Sequence, residues 1–216
     1  MKRHIICFGD SNTHGYKAVT GGRFDETERW TCLLQQKLGE EYLIIEEGLS
    51  GRTTCFDDAI HEGLSGLEYI YPCLMSHEPV ALLVIMLGTN DTKARFGVSP
   101  ACIALGMKRL VRKAQAAMDA WVDGVPRILI VAPKNIDKEY EDTEVGATMG
   151  RGCAEKSAAL AKEYEKIACE TGCMFFDANT VVMENNHVDY MHLTEEGHRQ
   201  LAETLAEQIP KLFAEK

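Results

Sequence analysis

Ile5-Ile6-Cys7-Phe8-Gly9-Asp10-Ser11 is an apolar run closed by a Gly-Asp-Ser turn. A strand buried on both faces of a parallel sheet shows a continuous apolar run rather than an alternating one. Open α/β sheets bind ligands in the crevice outside the carboxyl ends of their strands. The turn therefore carries the Ser11 hydroxyl to an edge where a nucleophile is useful. Alone the signal is weak, since serines in such turns most often cap helices. Its weight comes from partners further along the chain.

Four more apolar runs read as strands: Tyr42–Ile45, Val80–Leu87, Arg127–Val131 and Met174–Phe176. Helical patterns separate them, at Trp30–Leu38, Leu64–Ser76, Pro100–Ala120 and Arg151–Glu170. In the third, Ile103, Leu105, Met107, Leu110, Val111, Ala114 and Met118 form an approximate 3.6-residue stripe. A last helix starts at Thr194, an N-cap followed by Glu195 and Glu196, with Leu201, Leu205 and Leu212 facing inward and Pro210 expected to kink or interrupt it. This alternation predicts a parallel sheet with helices on both faces. The expected architecture is one flavodoxin-like three-layer α/β domain over residues 1–216, its five strands in the order 2-1-3-4-5. Two long stretches, Tyr16–Arg29 and Pro133–Gly150, read as irregular loops on the side of the strand ends.

The chain has 216 residues, 45% of them apolar, enough for one sizeable core. Its formal charge of −10 is spread along the sequence and argues against nucleic acid or an anionic membrane as partner. No run approaches the roughly 20 apolar residues of a membrane span, and the start lacks the apolar stretch of a signal peptide. Eight cysteines without a C-x-x-C pair are read as reduced, mostly buried small hydrophobes in a cytoplasmic protein, with no zinc site.

The second strand is followed by Glu46-Glu47-Gly48-Leu49-Ser50-Gly51-Arg52-Thr53-Thr54, the third by Gly88-Thr89-Asn90-Asp91, and the last helix is preceded by Asp189-Tyr190-Met191-His192. A serine needs a base to become nucleophilic, and the base needs an acceptor for its second ring nitrogen. His192 and Asp189 supply those types three residues apart. Acyl transfer also needs donors aimed at the developing oxyanion, and the Ser11 amide, a Gly51 amide and the Asn90 side chain all follow strand ends.

These blocks resemble, in order and separation, the four blocks of the GDSL/SGNH hydrolase family over nearly the whole chain. The wider strings, including Arg29-Trp30-Thr31 and Met86-Leu87-Gly88-Thr89-Asn90-Asp91-Thr92-Lys93, are similar to a branch of bacterial short-acyl arylesterases and acyltransferases with acetyl-xylan-type esterases. The resemblance implies Ser11 as nucleophile, His192 as base, Asp189 as its orienter, an oxyanion hole from Ser11, Gly51 and Asn90, and no metal or organic cofactor. Asn12 stands where many members carry leucine. No Gly-x-Ser-x-Gly elbow is present, which argues against an ordinary α/β-hydrolase.

Other residues have plainer readings. Arg52 either anchors an anionic substrate or pairs with a nearby acid. Asp10 stabilises the turn, His14 and His198 are structural or rim residues, and Trp30 belongs to a helix core. The expected activity is hydrolysis of small, acetyl-like esters through an acyl-enzyme, with acyl transfer to alcohols as a second outlet. Carbohydrate O-acetylesterase and lysophospholipase or thioesterase activities are the enzymatic alternatives, and a silent ligand-binding module on the same fold is the non-enzymatic one. Apolar residues in the two long loops (Tyr16, Val19, Phe24, Ile136, Tyr140, Val145 and Met149) suggest a homo-oligomer, since a lone small domain would struggle to bury them.

Overall fold

Strand β1 (Arg3–Gly9) lies at the second position of a five-stranded parallel sheet, in a computed structural model that describes residues 1–214. It pairs with β2 (Tyr42–Gly48) on one side and β3 (Val80–Met86) on the other. Beyond β3 come β4 (Ile128–Ala132) and β5 (Met174–Asp177), so the order is β2-β1-β3-β4-β5, the flavodoxin-like arrangement. Successive side chains point to opposite faces. Ile6, Phe8, Leu83 and Ile85 join one core, and Ile5, Cys7, Leu82 and Val84 join the other.

The first core is covered by α3 (Gly66–Ser76), α4 (Pro100–Ala116) and α6 (Cys153–Thr171), through side chains such as Leu74, Met107, Leu110 and Tyr164. The second is covered by α2 (Trp30–Leu38) and α7 (Glu195–Leu212), through Trp30, Leu34, Leu201 and Leu205. Every residue of β3 is buried. At about 1.5–3 kcal/mol for each fully buried large aliphatic side chain, this central strand is a main source of apolar stabilisation.

Several boundaries differ from the sequence reading. The helix expected to reach Ala120 ends at Ala116, where Ala117 leaves helical geometry, and Met118–Ala120 form a separate 3₁₀ turn. Met118 is exposed for that reason. Leu105 is exposed too, because it sits two residues past the buried Ile103 and so on the far side of the helix. Pro210 does not interrupt α7, which continues to Leu212. So close to the carboxyl end, the missing N–H and the ring disturb only the last turn.

The stretch Pro133–Gly150 is not irregular throughout. It contains a 3₁₀ segment at Lys138–Asp142 and a short helix, Glu144–Met149. Ile136, Tyr140 and Met149 pack with Cys153, Ala154 and Met191 as a third small core, and the Tyr140 hydroxyl donates to the Gly150 carbonyl at 2.6 Å. In the other long stretch Tyr16–Lys17 pairs with Gly22–Arg23 as a small hairpin. The buried Arg29 guanidinium then secures that stretch, reaching both Glu46 oxygens at 3.0 and 3.1 Å and the Phe24 carbonyl at 2.8 Å. Phe24 is itself buried. The loops therefore bury most of the apolar residues from which an oligomer was expected, and only Val19 stands fully outside.

The cysteines are less buried than expected: Cys7, Cys73 and Cys153 are inside, while Cys102 and Cys169 are exposed. Among the described residues no helix is long and apolar enough to cross a membrane.

Candidate active site

The carboxyl ends of β1, β2, β3 and β5 each release one part of the site. After β1 the chain turns at once into a four-residue helix, α1 (Ser11–His14), whose N-cap Asp10 accepts the Asn12 N–H at 3.0 Å. Only glycine fits at position 9: a Cβ there would lie 2.0 Å from the Thr13 hydroxyl oxygen. The turn leaves Ser11 largely buried at the strand edge.

His192 reaches Ser11 from the loop that follows β5. Its Nε2 lies 2.8 Å from Ser11 Oγ, and its Nδ1 lies 2.6 Å from Asp189 Oδ2. An ionised carboxylate only accepts, so Nδ1 carries the proton and Nε2 is left to accept from the serine hydroxyl. Burial pushes the Asp189 carboxyl up, but hydrogen bonds and charge from His192, with bonds from Asn186, outweigh it and hold the carboxyl at about 2. It is ionised throughout the neutral range. Tyr16 lays its ring 4.6 Å from the imidazole and forms one wall.

The loop after β2 brings Gly51, whose φ of +89° favours glycine. The turn after β3 brings Asn90. Its Nδ2 donates to the Arg52 carbonyl at 3.2 Å and lies 3.5 Å from Asp10 Oδ2. Asn90 thus touches the chain neighbours of both Ser11 and Gly51. Among the described residues the backbone amides of Ser11 and Gly51 make no hydrogen bond within the protein, so both are free to donate. Asp91 joins the two loops by accepting from the Thr54 N–H at 2.9 Å. Burial pushes the Asp10 and Asp91 carboxyls up to about 6.

Arg52 is buried. Its guanidinium donates to the carbonyls of Gly9 and Glu47 and lies over the rings of Phe8 and Tyr69, so it clamps β1 to the following loop; among the described residues it does not form the ion pair expected of it. Trp30 is a core residue whose indole N–H also donates to the Asn12 carbonyl at 3.1 Å. His14 is half-buried at the rim. His198 is wholly buried and accepts the Trp30 backbone N–H; burial, with His192 and Arg29 nearby, lowers its pKa to about 3.

Sequence reasoning missed Asn186 and the contacts of Asn12. Asn186 donates to Asp189 Oδ1 and to the His192 carbonyl at 2.8 and 2.7 Å. Asn12, noted only as standing where many family members carry leucine, is buried against the His192 loop. The Asx-turn chemistry of Asn186-x-x-Asp189 was a usable signal for the first; nothing local marks the second.

Among the described residues, Glu47, Cys73 and His77 are the group spaced to hold a metal, with ligand atoms within 4.8 Å of one another. His77 Nε2 and Glu47 Oε1 already bond each other at 2.8 Å, and burial, with Glu47 nearby, pushes the Cys73 thiol up to about 12.

The comparisons define a class, the carboxylic ester hydrolases of SGNH type. The family model described as "GDSL-like Lipase/Acylhydrolase family" matches residues 7–200, and the chain belongs to that family. The aryl esterase of Mycobacterium smegmatis (named "M. Smegmatis Aryl Esterase") superposes with a TM-score of 0.89 at 38% identity, over 97% of this chain and 99% of that one. Est24, a carbohydrate acetylesterase from Sinorhizobium meliloti, gives 0.88 at 36% identity, over 98% and 100%. Esterase TesA of Pseudomonas aeruginosa is 33% identical over 115 residues, 52% of this chain and about half (48%) of that curated relative's length.

Proposed function

We propose that the protein is a serine esterase for short, acetyl-like carboxylic esters, with Ser11 as nucleophile, His192 as general base and Asp189 as its orienting partner. The observation that carries this reading is the continuous line from Ser11 Oγ through the imidazole to the Asp189 carboxylate, at 2.8 and 2.6 Å. Ser11 Oγ attacks the ester carbonyl as its proton passes to His192 Nε2. The carbonyl oxygen, now negative, is held by the Ser11 and Gly51 amides and the Asn90 side chain. Collapse of the tetrahedral intermediate breaks the ester C–O bond, and the leaving alkoxide takes the proton from Nε2. A water then attacks the acyl-serine by the same route and frees the acid, or an alcohol does so and yields a new ester.

Tyr16 against His192 supports a confined acyl site. Val19, Leu49, Ile60, Met183 and Val188 are exposed apolar residues on loops leaving β1, β2 and β5. They supply a rim against which a second copy would narrow the entrance, and a homo-oligomer is part of the proposal. An open cleft of about 600 Å³, with polar and apolar groups in its lining, supports a second reading. Asn135, Asp137, Glu139, His187 and Tyr190 line it, and the last two rings are stacked. It contains neither Ser11 nor His192, but it shares the loop that carries Asp189. Carboxylates, amides and stacked rings suit a saccharide, and with the likeness to Est24 they favour an acetylated sugar as alternative substrate.

Purified protein should hydrolyse p-nitrophenyl acetate faster than the decanoate, and Ser11→Ala should abolish the activity. Acetylated saccharides run beside the aryl series separate the two readings. Full activity in Ser11→Ala, or a preference for decanoyl esters, would overturn the proposal, and light scattering tests the assembly.

A further inference from the structure

We infer that Asn12 is a positioning residue that fixes the base to the nucleophile, so that the distance from Ser11 Oγ to His192 Nε2 is set by the residue next to the serine. The inference rests on the proposed roles of Ser11 and His192. Asn12 Oδ1 accepts the Leu193 N–H at 3.0 Å, and Asn12 Nδ2 donates to the Met191 carbonyl at 3.3 Å. These are the groups on either side of His192. One residue facing another across a parallel ladder bonds in this pattern, to the carbonyl before and the N–H after it. Here a side-chain amide takes the place of a neighbouring strand. The partners also settle which amide atom is oxygen, since the flipped amide would set donor against donor and acceptor against acceptor.

Asn12 is itself held on every polar group. Its N–H donates to Asp10 Oδ1, and its carbonyl accepts from the Trp30 indole. The residue is buried. The backbone at His192 is otherwise tied only locally: its N–H to Asp189 Oδ1 at 3.1 Å, its carbonyl to Asn186. Those local bonds shape the loop and the imidazole–carboxylate pair but do not tie them to Ser11, 181 residues away in sequence. Asn12 makes that tie. The resemblance does not supply it, since many family members carry leucine at this position.

The test is Asn12→Leu, similar in size but unable to form either bond, with Asn12→Ala beside it, where water has room to enter. Both are compared with wild type and Ser11→Ala in three measurements: p-nitrophenyl acetate kinetics, the rate at which a fluorophosphonate labels Ser11, and the downfield proton resonance of the His192–Asp189 pair. The expected result is a kcat and a labelling rate lower by about tenfold to a hundredfold, with KM within about twofold. The downfield resonance should persist, because Asp189 and His192 remain bonded within their own loop. A merely structural role would lower the melting temperature and leave kcat per folded molecule unchanged. Wild-type kcat and labelling in either folded variant, loss of the resonance along with activity, or failure of both variants to fold would overturn the inference. Activity surviving in Ser11→Ala would instead mark failure of the underlying reading; an inactive Ser11→Ala with a fully active Asn12→Leu would mark failure of this inference alone.

Discussion

The two halves of the site are built in different ways. The base half, residues 185–193, has a network of its own side chains, joined to the rest of the chain through Asn12, Asn135 and Asp137. Asn186 Oδ1 accepts from Val188 and Asp189, and Asp189 Oδ1 accepts from Met191 and His192, all within eight residues. The oxyanion half has no such local network. Its donors come from three strand ends and are held by cross-links between loops: Asn90 to Arg52, Asp91 to Thr54, and Arg52 to Gly9. In the proposed roles a compact turn shapes the imidazole–carboxylate pair, whereas the oxyanion donors depend on contacts between loops at separate strand ends. The electrostatics divide the same way, since hydrogen bonds hold Asp189 at about 2 while burial raises Asp10 and Asp91 to about 6.

Asp189→Asn should have the largest effect. An amide that presents its N–H₂ to Nδ1 favours the wrong tautomer, and kcat should fall by about 10³–10⁴ while circular dichroism stays unchanged. A loss under tenfold would mean that the base half does not depend on this carboxylate. Asn90→Ala should cost about 10²–10³ in kcat, the usual cost of one oxyanion donor, with KM little changed. An effect on KM alone would move Asn90 from the transition state to substrate binding.

The smallest effect is on stability, and it runs in opposite directions in the two halves. Asp189 lies below its unfolded value of 3.8, so the stability it contributes is present above about pH 4 and fades as pH falls toward about 2. Asp10 lies above 3.8, so the folded state keeps its proton between about pH 4 and 6, and that contribution is lost as pH rises through the window. Thermal melts from pH 3 to 7 should show Asp10→Asn gaining on wild type as pH rises, by a few °C. Asp189→Asn should lose ground over the same range. Parallel curves would erase the electrostatic half of the comparison.

The same division explains what was legible in the sequence. The strands were legible because a doubly covered strand must be apolar throughout, as Val80–Met86 is. Asp189 and His192 were legible as a pair because their contact is local. Arg52 was not, because its partners are backbone carbonyls and two rings that the fold brings together. Asn12 was not, because its partners are 179 and 181 residues away. The stretch Pro133–Gly150 looked like a loop because its apolar residues lack helical period, yet with Cys153 and Met191 they close a small core that no local window contains.

Covalent labelling decides whether Ser11 is the nucleophile. Protein incubated with a fluorophosphonate, digested and mapped by mass spectrometry should carry one adduct, on Ser11, with activity lost in proportion to labelling. Ser11→Ala should take up none. Inactivation with the adduct on another residue, or full activity in protein stoichiometrically labelled at Ser11, would contradict the account.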